Sequence, residues 1–143
     1  MRRLLTAAAL LLSGALLAGC QDNGTFLNNS NLRCDQVRSY SVGSTVNGSL
    51  GTNDCTANDG SSVDYYRIRV SDYRTVQVDM TSYDIDPYVV ILDENGNLVQ
   101  DETDGGSGYS RVEANLSPGT YYIAASSYRS GDLGSYQLSS DWY

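Results

Sequence analysis

The side chains of this sequence that could do chemistry are mainly carboxylates. Asp84 and Asp86 stand on either side of Ile85, and Asp101 and Asp104 follow further along the chain. Two carboxylates can hydrolyse a glycosidic bond, so a carboxylate-dependent hydrolase is one alternative. The chain contains no His and no Lys, which excludes an imidazole base, a Ser–His–Asp triad and a Schiff base. We therefore expect a protein that is not an enzyme.

The same acids could hold a calcium ion. Calcium takes several oxygen ligands from carboxylates, amides and backbone carbonyls, and acids two apart in a strand share a face. The predicted ligands are Asp84, Asp86, Asp101 and Asp104. The stretch from Asp93 to Asn97 resembles the start of an EF-hand loop, but Leu98 stands where that loop needs Gly. The alternative is a solvated acidic surface, and no other cofactor is expected.

The start of the chain has the features of an export signal. Two arginines precede a short apolar stretch, which ends in Leu17-Ala18-Gly19-Cys20, and such a pattern is typical of a secretory signal. Its end resembles the bacterial lipoprotein signal, in which the Cys is lipidated and becomes the mature N-terminus. An ordinary signal peptide is the alternative. Residues 1–19 are thus predicted to be cleaved, residues 20–31 to form a flexible tether, and residues 32–143 to fold as a domain.

Lipidation at Cys20 would anchor the protein in a lipid bilayer, because several acyl chains together give stable anchoring. The bilayer is therefore a predicted partner. Gln21 occupies the next position, where Asp is the best-known signal for retention in the inner membrane. In a Gram-negative host we therefore expect the outer membrane. After cleavage the chain has 7 Arg against 17 acids, a net charge of about −10. This charge argues against nucleic acid and indicates solubility or a cationic partner.

Two further cysteines, Cys34 and Cys55, remain in the mature chain. An even number in an exported protein predicts one disulfide, with free thiols as the alternative. A metal site with these two cysteines as ligands is disfavoured, because no His and no further Cys exist to complete a tetrahedral site.

Short segments in which apolar and polar residues alternate must position these residues. Gly, Ser, Asn and Asp punctuate the chain regularly, and no segment has a helical apolar period, so the pattern predicts an all-β, small antiparallel β-sandwich. The central hairpin is expected across Asn95-Gly96, a turn that favours positive φ at both residues. The predicted strands are Ser44–Leu50, Tyr65–Val70, Thr75–Met80, Tyr88–Leu92, Leu98–Val99, Arg111–Leu116, Tyr121–Ala125 and Ser135–Ser139. A loop is expected from Asp101 to Gly108, and Pro118-Gly119 is expected to close a tight hairpin.

Tyrosine is unusually frequent, with 12 Tyr against one Phe and one Trp. Exposed aromatic rings can stack on sugars, and the rings expected to be exposed are those of Tyr65, Tyr83, Tyr109, Tyr128 and Trp142. Ordinary surface and edge tyrosines are the alternative interpretation.

Several motifs occur in an order that resembles a known family. They are Asp64-Tyr65-Tyr66-Arg67-Ile68-Arg69-Val70, Asp86 before an apolar strand, Asp93 with Asn95-Gly96, Leu116, Gly119-Thr120-Tyr121-Tyr122-Ile123, and Gly134-Ser135-Tyr136-Gln137-Leu138. Together these motifs resemble the bacterial pre-peptidase C-terminal domain. The resemblance implies a jelly-roll-like sandwich that acts as a binding or accessory module, and some members of that family bind calcium. We expect the module to stand without a catalytic domain, so a role beside a peptidase is not carried over from the resemblance.

The expected function is therefore a membrane-anchored lipoprotein whose non-catalytic sandwich binds an envelope protein or a polysaccharide. Calcium-dependent binding of a polysaccharide or a protein is the alternative form of this function.

Overall fold

Eleven β-strands and no helix make up the part of the chain that the structure describes. The computed structural model describes Cys34 and residues 36–143. The predicted signal, Cys20 and the tether lie outside these residues. Within them, nothing forms a helix long and apolar enough to span a membrane. The strands are β1 (Arg38–Ser39), β2 (Thr45–Leu50), β3 (Cys55–Thr56), β4 (Ser62–Val70), β5 (Arg74–Thr81), β6 (Pro87–Asp93), β7 (Leu98–Gln100), β8 (Asp104–Gly106), β9 (Tyr109–Leu116), β10 (Gly119–Ser127) and β11 (Gly134–Trp142).

The strands form two sheets, which confirms the predicted β-sandwich. One sheet has the order β1-β4-β10-β6-β7, with β3 also paired to β4, and the other has the order β2-β11-β5-β9-β8. All of the pairings are antiparallel except that of β1 with β4. We call the first the six-stranded sheet and the second the five-stranded sheet.

The main core lies between the inner faces of the sheets. Alternate residues of β4 (Tyr66, Ile68 and Val70) and of β5 (Val76, Val78 and Met80) are buried in it, as the period of two in a strand requires. Partners from the other strands include Leu116, Ile123 and Leu138. The predicted inner faces of these strands are thus confirmed.

A second apolar cluster covers the outer face of the six-stranded sheet. Tyr65 was predicted to be exposed there, but its side chain is fully buried. The reason is that the chain around Val37 and the chain around Cys55 and Ala57 lie against β4 on this side, so these three residues pack in one cluster with Tyr65. Sequence periodicity identifies which residues share a face, but it does not indicate that a distant segment will cover that face.

Two predicted turns differ from the observed ones. Around Asn95-Gly96 only Gly96 has positive φ (83°), and its N–H donates to the Asp93 carbonyl at 3.0 Å. This resembles the longer hairpin loops in which one glycine is left-handed. Pro118-Gly119 was expected to close a hairpin. Instead it carries the chain from the five-stranded to the six-stranded sheet, because β9 pairs with β5 and β10 pairs with β4.

Three short strands were not predicted. These are β1, β3 and β8, each of two or three residues. The segment after Asp101 was expected to be a loop, but Asp104–Gly106 pairs with Tyr109–Arg111 as an edge strand. Strands this short have no readable alternation, which is why the sequence pattern missed them.

The predicted disulfide between Cys34 and Cys55 is present, with Cα atoms 5.8 Å apart. It ties Cys34 to β3, the strand that pairs with β4, and so holds in place the residues that bury Tyr65.

Reduction should therefore destabilise the whole domain. Closing a loop over a sequence separation of 21 residues contributes about 3 kcal/mol on the chain-entropy model. We expect reductant, or Cys34→Ser with Cys55→Ser, to lower the free energy of unfolding in urea by about this amount. The double variant is its own control, since adding reductant to it should change nothing. An unchanged urea midpoint on reduction would contradict the structural role of the bond.

Candidate functional site

An open groove of about 980 Å³ crosses one end of the five-stranded sheet. Its walls come from the end of β2, the start of β11 and the end of β5. The lining residues include Asn47, Gly48, Ser49, Thr81, Ser82, Tyr83, Asp84, Ser135, Tyr136 and Gln137, with Arg38 on the edge of the other sheet.

The groove presents mostly neutral hydrogen-bonding groups. The Gln137 side chain donates to Asn47 Oδ1 at 3.2 Å, which leaves the amide N–H groups of Asn47 and the carbonyl oxygen of Gln137 for a ligand. The Tyr83 ring is fully exposed. The Asp84 carboxylate is engaged, because the Ser135 N–H donates to it at 2.9 Å.

Behind the groove, a buried carboxylate joins the two sheets. Asp64 of β4 is only 2% exposed. Its carboxylate accepts a hydrogen bond from the hydroxyl of Tyr136 in β11 and pairs with both terminal nitrogens of Arg38 at 3.3 Å. Tyr66 completes the group, since its hydroxyl lies 2.7 Å from the Tyr136 hydroxyl. We call these four residues the inter-sheet cluster.

The electrostatics of the inter-sheet cluster follow from its burial. Desolvation raises the pKa of Asp64, although the hydrogen bond from Tyr136 and the charge of Arg38 oppose this rise. Desolvation also raises the pKa of Tyr136, and the Asp64 charge raises it further. Tyr136 is therefore a neutral hydrogen-bond donor at any physiological pH.

Gly48 makes room for this arrangement. It lies opposite Tyr136 in the pairing of β2 with β11, and a Cβ at this position would overlap the ring and hydroxyl of Tyr136. The absent side chain thus lets Tyr136 reach across the sandwich to Asp64.

The inter-sheet cluster was not predicted from the sequence, although a signal was present. Asp64 shares its strand face with Tyr66, Ile68 and Val70, so an acid on the core face of β4 was readable from the alternation. Its partner Tyr136 could not be identified, because that contact depends on how the two sheets stack.

The predicted calcium ligands Asp84 and Asp86 do not act together. They lie in the crossover between β5 and β6 rather than in a strand, so the expected shared face does not form. Asp84 accepts from Ser135 in the five-stranded sheet. The Asp86 carbonyl accepts from the Tyr128 N–H at 3.0 Å, beside the six-stranded sheet.

The other two predicted ligands are also engaged separately or exposed. The Asp101 carboxylate accepts from the Tyr88 hydroxyl and from the Glu102 N–H, while Asp104 is exposed in β8. Among the described residues, no three acidic or thiol side chains form a group that could hold a metal ion. The four predicted ligands therefore do not fit a calcium site in this arrangement, and calcium binding stays a prediction.

The tyrosines predicted to be exposed fall into different environments. Tyr83 and Tyr128 are exposed, at 109% and 52%, and Tyr65 is buried. The Tyr128 hydroxyl donates to Glu102, a bond that contributes most to raising the pKa of Tyr128 to about 12. Tyr109 and Trp142 are half-buried. Of the five, only Tyr83 lines the groove.

The strand order defines a small β-sandwich, and the predicted resemblance to the pre-peptidase C-terminal domain is confirmed at the level of the fold. The structure is similar to the pre-peptidase C-terminal domain of collagenase from Bacillus anthracis, with a TM-score of 0.60 and 23% identity. That match covers 76% of this chain and 98% of the other.

A second solved structure with a similar fold is PliG of Aeromonas hydrophila, a periplasmic inhibitor of g-type lysozyme. Its TM-score is 0.56 at 11% identity, over 76% of this chain and 96% of that one. No family model matches the sequence, and no curated protein matches it.

Ionisation of Asp64 should lower stability as the pH rises. Because the folded-state pKa of Asp64 is raised, the native state binds its proton more tightly than the unfolded chain does. The resulting stabilisation is present below the unfolded pKa and is lost as the pH rises through the folded pKa. We expect the free energy of unfolding of Asp64→Asn, measured in urea, to lack this fall. The pH curves of the wild type and of Asp64→Asn should therefore diverge.

Asp79→Asn is the matched control, because the stability that Asp79 contributes should depend on pH in the opposite direction. Burial raises the pKa of Asp79, but hydrogen bonds from Arg111, Tyr109 and Gln77 outweigh it and lower the pKa. Its contribution is present above the unfolded pKa and is lost as the pH falls through the folded pKa. Parallel pH curves for the wild type and Asp64→Asn would contradict the role assigned to Asp64.

Thermal melts decide the calcium prediction. A ligand that binds only the folded state raises stability by about 2.7 kcal/mol at a hundredfold excess over its Kd. A calcium site requires a higher midpoint in millimolar calcium than in equal magnesium or chelator. Equal midpoints would show that the acids are a solvated surface.

Proposed function

We propose that this chain is a lipid-anchored, non-catalytic binding module of the bacterial cell envelope, and that its groove holds a neutral glycan. The first half of the proposal rests on the N-terminal sequence and the fold. The second half rests on the chemistry of the groove.

The observation that carries the proposal is the composition of the groove walls. In a chain with a large excess of acids, the groove contains one Asp and one Arg, and each already has a protein partner. What remains for a ligand is hydroxyls, amides and the exposed Tyr83 ring. Such groups favour a ligand rich in hydroxyl and amide groups over a charged one. N-acetylated sugars have this chemistry.

The same residues offer little to catalysis. A general base needs a proton acceptor within reach of the substrate, and the Asp84 carboxylate in the groove is engaged with the backbone of β11. Asp64 is buried behind the wall. A binding role is also in keeping with the two similar folds, which belong to the pre-peptidase C-terminal domain of a collagenase and to a lysozyme inhibitor.

Retention on insoluble glycans tests the groove. We expect the purified chain to bind peptidoglycan or chitin and Tyr83→Ala to bind it about fivefold more weakly, since stacking on one ring contributes roughly 1 kcal/mol. Tyr73→Ala is the matched control, because Tyr73 is also exposed, at 69%, but lies outside the groove. No retention on either glycan, or equal loss in the two variants, would overturn the assignment of the groove.

Intact mass spectrometry tests the anchor. The chain extracted from membranes should begin at Cys20 and carry added acyl mass, and Cys20→Ala should release it from the membrane fraction. A chain cut at another residue, with no added mass, would contradict the anchor but leave the glycan proposal standing.

A second candidate function is binding of a basic lytic enzyme. It is favoured by the fold shared with a periplasmic inhibitor of g-type lysozyme and by the mature charge of about −10, which would attract a basic protein. Turbidity assays of g-type lysozyme with and without the purified chain test this function. Unchanged lysis at a large excess of the chain would exclude it.

A further inference from the structure

A second, smaller cavity lies at the far end of β11 from the groove. Its volume is about 350 Å³, and Arg67, Arg69, Ser39, Ser41, Tyr40 and Trp142 line it. Trp142 follows Tyr136 by six positions in the same strand, which places the two cavities roughly 20 Å apart along it. A ligand held here would therefore be separate from one in the groove.

The cavity is cationic in an acidic protein. Two of its lining residues are Arg and none is acidic, although the chain has 17 acids against 9 basic residues. A third guanidinium adds to this charge, because Arg74 stacks on the Trp142 ring with its Cζ 4.9 Å from the ring centre. One acid, Asp141, acts on a lining group, since its charge adds to the burial that raises the pKa of Tyr40.

Within residues 36–143, the two lining guanidiniums have no carboxylate partner. Among the residues that the structure describes, the Arg side chains that form ion pairs are Arg38, with Asp64, and Arg111, with Asp79. Arg67 donates instead to the Ser39 hydroxyl at 3.0 Å, which orients the guanidinium and leaves the Ser39 proton to be donated onward. In a chain so rich in carboxylates, two adjacent unpaired Arg residues point to an anion from outside.

The geometry favours a tetrahedral oxyanion. Arg67 and Arg69 are two apart in β4, so they project from one face with Cα atoms roughly 7 Å apart. A carboxylate is satisfied by one planar guanidinium fork. Two forks side by side on one strand, together with a serine hydroxyl from β1, offer more donors than one carboxylate needs, which suits the several oxygens of a phosphate group.

We propose that this cavity binds a phosphate group, either free or in a lipid headgroup. The site is independent of the glycan groove, and it explains why a chain whose net charge disfavours anions keeps an unpaired cationic cavity. Arg67 and Arg69 hold the phosphate oxygens, Ser39 positions Arg67, and Trp142 forms the apolar wall.

The chain contains a single tryptophan, so intrinsic fluorescence reports on this cavity directly. We titrate the full chain with inorganic phosphate at constant ionic strength and compare acetate as the carboxylate probe. A saturable change in Trp142 emission with phosphate, and a weaker one with acetate, is the expected result. No saturable change with phosphate or with vesicles, or an equal response to acetate, would overturn the proposal.

Matched variants separate the cavity from bulk charge. Arg69→Gln and Arg67→Gln should each weaken phosphate binding about tenfold or more, as expected for losing a charged hydrogen bond. Arg129→Gln makes the same change of charge in the exposed loop between β10 and β11 and should bind as the wild type does. Equal weakening in Arg129→Gln would show general charge attraction and refute the site. Thermal midpoints confirm that each variant is folded.

Vesicles distinguish the two sources of phosphate. The chain is added to vesicles of phosphatidylcholine alone or mixed with phosphatidylglycerol. A change of emission with either vesicle that is lost in Arg69→Gln supports a headgroup, whereas a response to inorganic phosphate alone supports a free anion. Glycan retention of Arg69→Gln should be unchanged, so failure of the phosphate site and failure of the groove are separate results.

Discussion

The buried carboxylate of Asp64 is the constraint on which the rest of the structure depends. A charge held almost without solvent must be surrounded by donors, and its donors come from β1 and from β11, which belong to opposite sheets. Satisfying one carboxylate therefore fixes how the sheets stack, where the first strand lies and where Tyr136 points. Removing a donor from such a group leaves its desolvation uncompensated, so the arrangement tolerates little change.

The two candidate sites are built mainly on strands rather than on long loops. Strand residues are held by their neighbours on both sides, so their side chains keep fixed relative positions. In the groove, Asn47 and Gln137 project from paired strands, and the crossover that carries Tyr83 is fixed by the Ser82 hydroxyl, which accepts from Asp84 and Ile85. Both sites are thus largely formed before a ligand arrives, which reduces the entropy lost on binding.

Sequence reasoning recovered the fold more completely than the sites. Alternation in β4 and β5, and an even number of cysteines after a predicted export signal, were enough to predict the sandwich and its disulfide, because those signals are local or compositional. The groove, the inter-sheet cluster and the burial of Tyr65 depend on contacts between distant segments, which periodicity does not encode. Acids were the visible chemistry, yet Asp84 and Asp86 bond to different sheets because the chain crosses between layers at that point.

The short outermost strands affect how copies of this domain interact when they lie close together. An edge strand with unpaired backbone groups can pair with a copy of itself, and the risk grows when many copies share one surface. Here the borders formed by β1 and β3, by β7 and by β8 are only two or three residues long. The longer border, β2, contains Gly48, which weakens its strand propensity. These short borders therefore leave few backbone groups of their own for strand pairing with a second copy of this domain.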